Sequence, residues 1–495
     1  MNAALHENQM TCYEQTYNGQ KVFEITGESV VSDRLPDIGL VGETNARILL
    51  RSKRTQSGGG TMEGDLLAGV CYIPDGAGGL RLLELTIPWQ VQFDSAEITD
   101  DAVAVGEVRI CGIETRMLNP RKVLVKAQVQ ADFTCYEKHM VTVCDDVEEA
   151  SQVQVRAETL SCSTIATVCE KTFVVTDEYP LPADVTGGTV LHQAVQFRVD
   201  DVKTLMNKLI VKGTVFSDVV IAGENGAGEK VSFTGGFSLI AETDCEAVGT
   251  DVKAVLMPTA VYYEISPGSS VLQMEVHGLC QMVAYTDCTL TYLSDAYSNF
   301  GDTQASYRPM TVYCDTKSTV RRESVSGVLP TRGQVARIVF MTAVPLTPVC
   351  NGQVSRVPVQ ISACVQNEGG ALDWVKRQET LELHLKESEQ ICMVRTCELH
   401  GLPTAGGIEF RLTMDVEVRE ERVEVLQTLS AIELEEDAER HQYRPSLVVV
   451  RAEGDLWDLA RTYGSTVDLI RRYNHLEEDE WSDRRLLLIP RQNKP

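Results

Sequence analysis

The sequence predicts a mainly β protein that ends in a small module of different structure. Valine accounts for 59 of the 495 residues, and only Val467 lies beyond Arg451. β-Branched side chains favour the pleated, half-buried backbone of a sheet. Short alternating apolar and polar runs, separated by glycine-rich turns, indicate the same class. We therefore expect three tandem antiparallel β repeats, sandwich- or barrel-like, and a C-terminal β-α-α-β module.

Three Leu-Pro pairs mark an internal repeat in the β part of the chain. Their prolines, Pro36, Pro182 and Pro330, are 146 and 148 residues apart. Each pair follows a segment that we expect to form a short strand, and the three segments are residues 21–25, 171–175 and 310–314. Similar copies more often serve as a scaffold than as three active sites.

Glycine-rich turns recur about 40 residues after each of these prolines. They lie at 74–79, 223–228 and 367–370 between strand-like runs, as hairpins require. Further hairpins are expected around 118–120, 266–268 and 403–407. These landmarks divide the chain into β domains at 10–147, 150–294 and 308–432, a linker at 433–445 and the C-terminal module at 446–491.

The C-terminal module shows the start and stop signals of two short helices. Asp455 is the expected N-cap of a helix over 456–463, and Gly464 its left-handed terminator. Ser465 or Thr466 caps a second helix over 467–473. Apolar runs at 447–450 and 486–490 predict one strand on either side of the helix pair.

Trp457 and Asn474 are the two side chains of the module whose roles the sequence suggests. Trp457 is a rigid aromatic residue, and if its ring is partly exposed at the rim of the module it can anchor a partner or a sugar face. The alternative is that the ring packs against the linker or the core. Asn474 is expected to cap the second helix. The candidate binding residues are Ala452, Glu453, Gly454, Asp455, Leu456, Trp457, Asn474, His475, Leu476 and Trp481.

The C-terminal module resembles a LysM domain, a small module that binds carbohydrate or protein. The resemblance lies in the segments 456–460, 463–467 and 488–490, together with Asn474 and Leu476. Two loops depart from the family pattern, at 453–455 and 481–485. In glycan-binding members these loops line the sugar groove, so a protein partner and a glycan both stay open at this point.

The β part, taken with the module, resembles the SPOCS-repeat spore coat proteins. The segment 31–38 is similar to the lead-in of that repeat, and 118–125 to its closing hairpin; the string 295–298 is also family-like. The resemblance implies a non-enzymatic coat assembly protein without a cofactor. Its LysM module would bind the coat-basement ATPase, of the stage IV sporulation protein A type, and attach coat to the forespore.

The alternative function is binding of peptidoglycan or cortex glycans that contain N-acetylglucosamine. The first residues carry no basic segment followed by an apolar one, so we expect no secretory signal. No apolar run approaches the roughly 18 residues of a membrane span, so we expect no membrane insertion. The location implied is the mother-cell cytoplasm, at the forespore surface in the spore coat.

The net charge of −26 excludes nucleic acid and anionic membrane surfaces as expected partners, because both are negatively charged. The 15 cysteines are scattered and form no Cys-x-x-Cys motif, which favours buried free thiols. Gly223 and Gly228 have the spacing of a phosphate-binding loop, but Glu229 follows them where that motif needs Lys, so a hairpin turn is expected. The eight histidines have no metal-ligand spacing, and no catalytic or metal site is predicted.

Overall fold

A computed structural model describes most of the chain and is mainly β. The described residues are 4–76, 79–147, 153–182, 185, 188–205, 207–223, 228–243, 251–265, 270–299, 302–435, 446–451, 455–476 and 486–491. Antiparallel sheets account for most of them, and two short helices lie near the C-terminus. The predicted class, mainly antiparallel β with helices only at the end, is confirmed at that level.

The first group of strands consists of a long hydrogen-bonded pair and a three-stranded meander. The first and last strands pair antiparallel along nearly their whole length, and the fifth strand adds to the edge of the last. Phe93 of the meander stacks on Phe133 of the last strand, with ring centroids 4.9 Å apart, so the two sheets enclose a core. The strands are β1 (Leu5–Val30), β2 (Ile38–Gln56), β3 (Gly59–Pro74), β4 (Arg81–Asp94), β5 (Val103–Asn119) and β6 (Lys122–Val147).

The second group of strands follows the same order of pairings. Its first strand pairs with its last, its fifth strand adds to the last, and its middle three strands form a meander. Phe173 stacks on Phe237 between the two sheets at 4.2 Å. The strands are β7 (Val153–Pro180), β8 (Thr189–Leu205), β9 (Lys208–Ala222), β10 (Gly228–Glu242), β11 (Asp251–Ile265) and β12 (Val271–Ser298).

The third group differs by one extra short strand at the edge of its meander. Its long first and last strands pair as in the other groups, and a core cluster joins them to the meander. The strands are β13 (Asp302–Leu329), β14 (Val335–Pro345), β15 (Val349–Asn351), β16 (Val354–Asn367), β17 (Leu372–His384), β18 (Glu389–Thr404) and β19 (Gly407–Glu435).

The C-terminal module contains a two-stranded antiparallel sheet and two helices. Its elements are β20 (Leu447–Arg451), α1 (Leu456–Tyr463), α2 (Val467–Asn474) and β21 (Leu486–Pro490). The predicted strands and helices are confirmed, and α2 extends one residue past its predicted end. Residues 433–435 of the predicted linker belong to β19, and 436–445 lie outside the described residues.

The first strands of the three groups are much longer than the sequence predicted. The segments 21–25 and 171–175 lie within β1 and β7, which have 26 and 28 residues. The register of β1 against β6 shifts between Gln15 and Tyr17, where a bulge interrupts the alternation of inward and outward side chains. The alternation of inward and outward residues therefore breaks inside β1, although its hydrogen bonds to β6 continue. For this reason the sequence pattern shows a shorter strand than the one that forms.

The predicted hairpins are confirmed wherever their flanking strands are described. The turns after Pro74, Ala222 and Asn367 each join two paired strands, and Gly370 adopts a left-handed φ of 82°. The tips at 77–78, 224–227 and 266–269 lie outside the described residues. Pairing of β9 with β10 across residues 223–227 fits the expected hairpin.

The first strands of the three groups meet at single bridge pairs. Tyr13 of β1 pairs with Ile165 of β7, and Tyr313 of β13 pairs with Ser163, two residues earlier on β7. Buried tyrosines fill this junction, and Tyr285 packs edge-on against Tyr313 with centroids 5.1 Å apart. The strand β7 therefore connects the second group to both of the others.

A buried arginine joins the third group to the second at the same junction. Arg419 of β19 is 1% exposed, and its guanidinium donates to Asp251 of β11 at 2.6 Å and to Glu421 at 3.2 Å. The same guanidinium lies 5.1 Å from the centroid of the Tyr285 ring, whose hydroxyl donates to Glu421. Two carboxylates and an aromatic face thus compensate a charge removed from water.

The meanders of the three groups meet at a second seam, which contains a buried carboxylate. Glu43 of β2 is 4% exposed, and both its carboxylate oxygens lie 2.8 Å from the hydroxyl oxygen of Thr342 on β14, which donates its one proton to this carboxyl group. His192 of β8, also buried, places Nδ1 3.9 Å from Glu43. Each group therefore contributes at least one polar side chain to this seam, whose apolar lining includes Cys71 and Cys364.

Replacing the buried arginine tests whether it holds the first junction together. We expect Arg419→Leu to lower the free energy of unfolding by about 3 kcal/mol, because Asp251 and Glu421 lose the cation that compensates them. Urea unfolding of the full chain measures this change. Arg411→Leu, at an exposed position on the same strand, is the matched control and should change stability by less than about 0.5 kcal/mol. Equal effects of the two substitutions would contradict the role given to Arg419.

The second seam predicts an unusual dependence of stability on pH. Burial raises the pKa of Glu43 to about 7, although hydrogen bonds from Thr342 and Ser362 and the charge of Lys376 act in the opposite direction. Between pH 4.5 and 7 the folded chain keeps a proton that the unfolded chain loses, so Glu43 lowers stability as the pH rises. Burial lowers the pKa of His192 to about 4, so His192 instead lowers stability as the pH falls from 6.5.

We expect Glu43→Gln to remove the loss of stability that Glu43 causes as the pH rises. The variant should match the wild type near pH 4.5 and exceed its free energy of unfolding by about 3 kcal/mol at pH 8, because a neutral amide replaces a buried carboxylate. Urea unfolding at several pH values measures the difference. Glu409→Gln, at an exposed position on β19, is the control. A constant difference between the variant and the wild type across this range would show that Glu43 does not titrate as described.

Candidate binding site in the C-terminal module

The first helix of the module begins and ends at the predicted residues. Asp455 has extended backbone angles, and its carboxylate accepts a hydrogen bond from the backbone N–H of Trp457. Gly464 adopts a left-handed φ of 67° and donates its N–H to the carbonyl of Ala460. Both ends of α1 are thus closed by local hydrogen bonds, which confirms the predicted N-cap and terminator.

The second helix is closed by Thr466 and His475. The Thr466 hydroxyl accepts from the N–H of Leu469 at 3.1 Å, so Thr466 is the N-cap of the two candidates. Ser465 is fully buried and donates instead to the carbonyl of Pro490 on β21. His475 occupies a left-handed position with φ 52° and ends the helix through its backbone. Residues other than glycine rarely adopt this left-handed conformation, so the backbone of His475 marks the end of α2.

Asn474 fastens the second helix to the last strand. Its Nδ2 donates to the carbonyls of Ile470 at 2.7 Å and Leu488 at 2.6 Å, and its Oδ1 accepts from the N–H of Leu488 at 2.7 Å. The C-cap position is His475, so Asn474 is the last residue of the helix and adds a side-chain bond to the carbonyl of Ile470 instead of capping it; the bonds to β21 were not predicted. Both ends of the amide are therefore occupied by internal hydrogen bonds.

Trp457 is buried and not exposed at a rim, which corrects the expectation of an available anchor. Its residual exposure is 9%, and its ring packs edge-on against Tyr297 of β12 with centroids 4.8 Å apart. Its Nε1 donates to the carboxylate of Asp295 at 2.8 Å. The alternative of core packing is the one observed, and the core belongs jointly to the module and the second group.

Asp295 is the polar centre of the contact between the module and the second group. Besides Trp457, it accepts from the guanidinium of Arg461 on α1 at 2.9 Å. The hydroxyl of Tyr297 donates to the backbone carbonyl of Ser465, and Arg156 of β7 pairs with Asp455 at 2.8 Å. The string 295–298 was noted in the sequence as family-like, but no local pattern showed that it faces the module.

The remaining candidate residues divide into structural positions and undescribed ones. Leu456 and Leu476 are partly buried against the shared core of the module. Ala452, Glu453, Gly454 and Trp481 lie outside the described residues. Of the ten candidates, the structure brings Asp455, Leu456 and Trp457 together at the start of α1, and Asn474, His475 and Leu476 at the end of α2.

The sheet of the module presents an apolar face that sequence analysis did not identify. Inward residues such as Leu487 and Ile489 are buried against the helices, whereas the alternate residues point outward. We call these outward residues the apolar face, and they are Leu447 (46% exposed), Val449 (57%), Leu486 (72%) and Leu488 (37%). Val449 and Leu488 are directly opposed in the sheet, so the apolar face is continuous across both strands. The uninterrupted apolar runs at 447–450 and 486–489 were the available signal, because only one face of each strand can turn towards the helices.

Outside the module, the described part of the chain offers no stronger candidate for a binding site. No group of three metal-ligating side chains occurs there, and none of its helices has the length and apolarity needed to span a bilayer. A cavity of about 150 Å³ lies between β2, β3, β4 and β8, but Asn45 and Arg47 in its wall already donate to Gln193. Ligand pockets are typically larger than this cavity, from about 300 Å³. A second cavity of about 480 Å³ reaches that size and lies against β1, β5 and β6, but Lys126 in its wall already donates to Glu24.

Eight of the fourteen described cysteines are buried, which agrees with the expected environment of these residues.

Comparison with known proteins adds no relative, because no protein-family model, no curated protein and no solved structure matches the chain.

Removing the Trp457 ring should release the module from the second group. We expect Trp457→Ala to lower the stability of the module by about 3 kcal/mol, because the cavity deprives Tyr297 of its packing partner and leaves Asp295 without one donor. Hydrogen exchange measured segment by segment should show faster exchange in α1 and α2, with β1 and β6 unchanged. Tyr473→Ala, at a side chain that is 55% exposed on α2, is the control and should leave the exchange pattern intact. Unchanged protection in Trp457→Ala would contradict the docking role.

Proposed function

We propose that the chain is a non-enzymatic scaffold protein of the spore coat, with three SPOCS-like β domains and a LysM-like module that binds a protein partner. The three groups of strands share one order of pairings, and a β-α-α-β module follows them. This arrangement fits the resemblance to coat proteins of the SPOCS type. The partner that the resemblance implies is the coat-basement ATPase of the stage IV sporulation protein A type.

The apolar face of the module is the observation that carries the proposal of a protein partner. Its most exposed members, Leu486 and Val449, lie on adjacent strands and would bury their side chains in an apolar contact. Exposed apolar patches with polar surroundings are typical of protein interfaces. The neighbouring charges include the exposed Arg451 at the end of β20, which pairs with Leu486 in the sheet, so the surroundings are not uniformly acidic.

Glycan binding remains the second candidate, and the described residues favour it less. Sugars are typically bound by an exposed aromatic face and by free polar groups. In this module the Trp457 ring is packed against Tyr297, and the amide of Asn474 is fully used by Ile470 and Leu488. A glycan would have to displace these internal contacts or use the residues outside the described part.

The distribution of charge suggests a division of roles. From Ser446 onward the chain has eight basic and nine acidic residues, a net of −1, so −25 of the total −26 belongs to the preceding residues. The acidic β groups of separate molecules repel one another and other acidic surfaces, which keeps non-specific association low. A nearly neutral module would then make the specific contact. The proposed location is the mother-cell cytoplasm, at the forespore surface.

The binding experiment uses the full chain, because the core of the module includes Tyr297 of the second group. We expect the double variant Val449→Asp, Leu486→Asp to weaken binding to the purified ATPase about tenfold or more, since two charges would be buried at the interface. Titration calorimetry or biolayer interferometry gives the Kd. The matched control is Val349→Asp, Leu402→Asp, at residues of similar exposure in the third group (60% and 68%).

The outcomes of this experiment separate the candidate functions. Loss of binding in the module variant alone supports the apolar face as the partner site. Equal affinity of all three proteins would contradict the proposed site, and equal loss in both variants would indicate non-specific adhesion. If the wild type does not bind the ATPase but saturates with N-acetylglucosamine oligosaccharides, with changes at 474–476, glycan binding is the better function.

A further inference from the structure

Four cysteines from three groups of strands come together beside the junction of the first strands. Cys162 of β7 and Cys288 of β12 are directly opposed in the antiparallel pair, and their sulfur atoms are 3.6 Å apart. Cys314 of β13 belongs to the same hydrophobic cluster, and Cys12 of β1 is close enough to Cys288 for an electrostatic interaction. The four thiols are not neighbours in sequence, so only the folded chain assembles them.

The pair Cys162 and Cys288 has the backbone geometry that a disulfide needs. Directly opposed residues of antiparallel strands have Cα atoms about 4.5–5.5 Å apart, within the range found for disulfides. Their side chains lie on the same face of the sheet, as the contact between the sulfurs shows. Bond formation requires the sulfurs to approach by about 1.5 Å, which side-chain rotation and a small movement of the strands supply.

We propose that Cys162 and Cys288 form a reversible disulfide that locks β7 to β12 when the protein meets a peroxide. The Cys288 sulfur attacks one peroxide oxygen, the O–O bond breaks, and a sulfenic acid and one water form. The Cys162 sulfur then attacks the sulfenic sulfur, and its thiol proton leaves with the hydroxyl as a second water. Two thiols and one hydrogen peroxide thus give one disulfide and two waters, and the peroxide is the species reduced.

The exposure of the two thiols sets the order of these steps. Cys288 is partly exposed and accessible to a small oxidant, whereas Cys162 is 6% exposed. Burial, followed by the proximity of Cys288, raises the pKa of Cys162 to about 12, so this thiol is poorly suited to react first. Cys162 therefore acts as the resolving thiol, and the second step should accelerate as the pH rises.

The position of the pair gives the bond a structural consequence. Ser163, next to Cys162, pairs with Tyr313, and Ile165 pairs with Tyr13, so both bridges to the other groups lie within three residues of the bond. The strand β12 also carries Asp295 and Tyr297, which hold the C-terminal module. A bond between β7 and β12 would stabilise the strand pair on which both the junction and the module depend. This inference is independent of the identity of the partner.

The test treats the full chain with hydrogen peroxide in a Cys350→Ser background, because Cys350 is the exposed cysteine among those described. After blocking of the free thiols, peptide mapping with fragmentation identifies the bond. We expect two thiols to be lost, a bond between Cys162 and Cys288, its removal by dithiothreitol, and a rise in Tm of several degrees. Cys288→Ser should abolish the bond and the rise in Tm. Cys162→Ser should do the same, and circular dichroism checks that each variant folds.

The matched control is Cys314→Ser, because Cys314 is as deeply buried as Cys162 and lies in the same cluster. The Cys162–Cys288 bond should form in this variant as in the parent protein. The proposal is overturned if peroxide leaves both thiols free in the folded protein. It is also overturned if the bond joins Cys162 to Cys314, or if the rise in Tm persists in Cys288→Ser.

Discussion

Antiparallel pairing of the first and last strand in each group is the constraint on which the rest of the structure depends. β1 pairs with β6 from Leu5 to Val30, and β7 pairs with β12 from Val153 to Pro180. These two ladders join segments more than 90 residues apart at their nearest ends, and the ladder of β13 with β19 joins Leu329 to Ile408, 79 residues apart. Each ladder so closes the chain between its strands into one unit. The intervening strands then fold over one face of the ladder, because their apolar residues have no other surface to bury against. Packing of Phe93 on Phe133 and of Phe173 on Phe237 reflects this closure.

The seams between the groups combine apolar packing with a few buried polar contacts. Arg419 joins the third group to the second, and Glu43 meets His192 and Thr342 where the meanders converge. Such contacts add little stability compared with apolar packing of the same volume, since the charges must first be removed from water. Their value lies in orientation, because a misplaced group would leave a buried carboxylate or guanidinium without its partner. The buried polar side chains therefore select one arrangement of the three groups.

The C-terminal module illustrates how a small unit acquires a core. Fewer than 50 residues bury too little apolar surface for a robust independent core. This module extends its core with Tyr297 of β12, against which Trp457 packs. A hydrogen bond from Trp457 to Asp295 stabilises the contact. Trp457, which the sequence offered as an anchor for a partner, thus holds the module in place. The outward face of its sheet, which local helix signals do not reveal, is the surface left for a partner.

Local features of this protein could be predicted from the sequence because they depend on neighbouring residues. The β class, the hairpin turns, the Asp455 cap and the Gly464 terminator all follow from propensity, periodicity and backbone freedom within a few positions. Strand length could not be predicted, since bulges interrupt the alternation while hydrogen bonding continues. The contacts on which the proposals rest join distant residues: Trp457 and Asp295 are 162 positions apart, and Cys162 and Cys288 are 126 apart. Which side chains are buried, paired or left exposed was decided only by tertiary structure, because it depends on which surfaces the folded chain brings together.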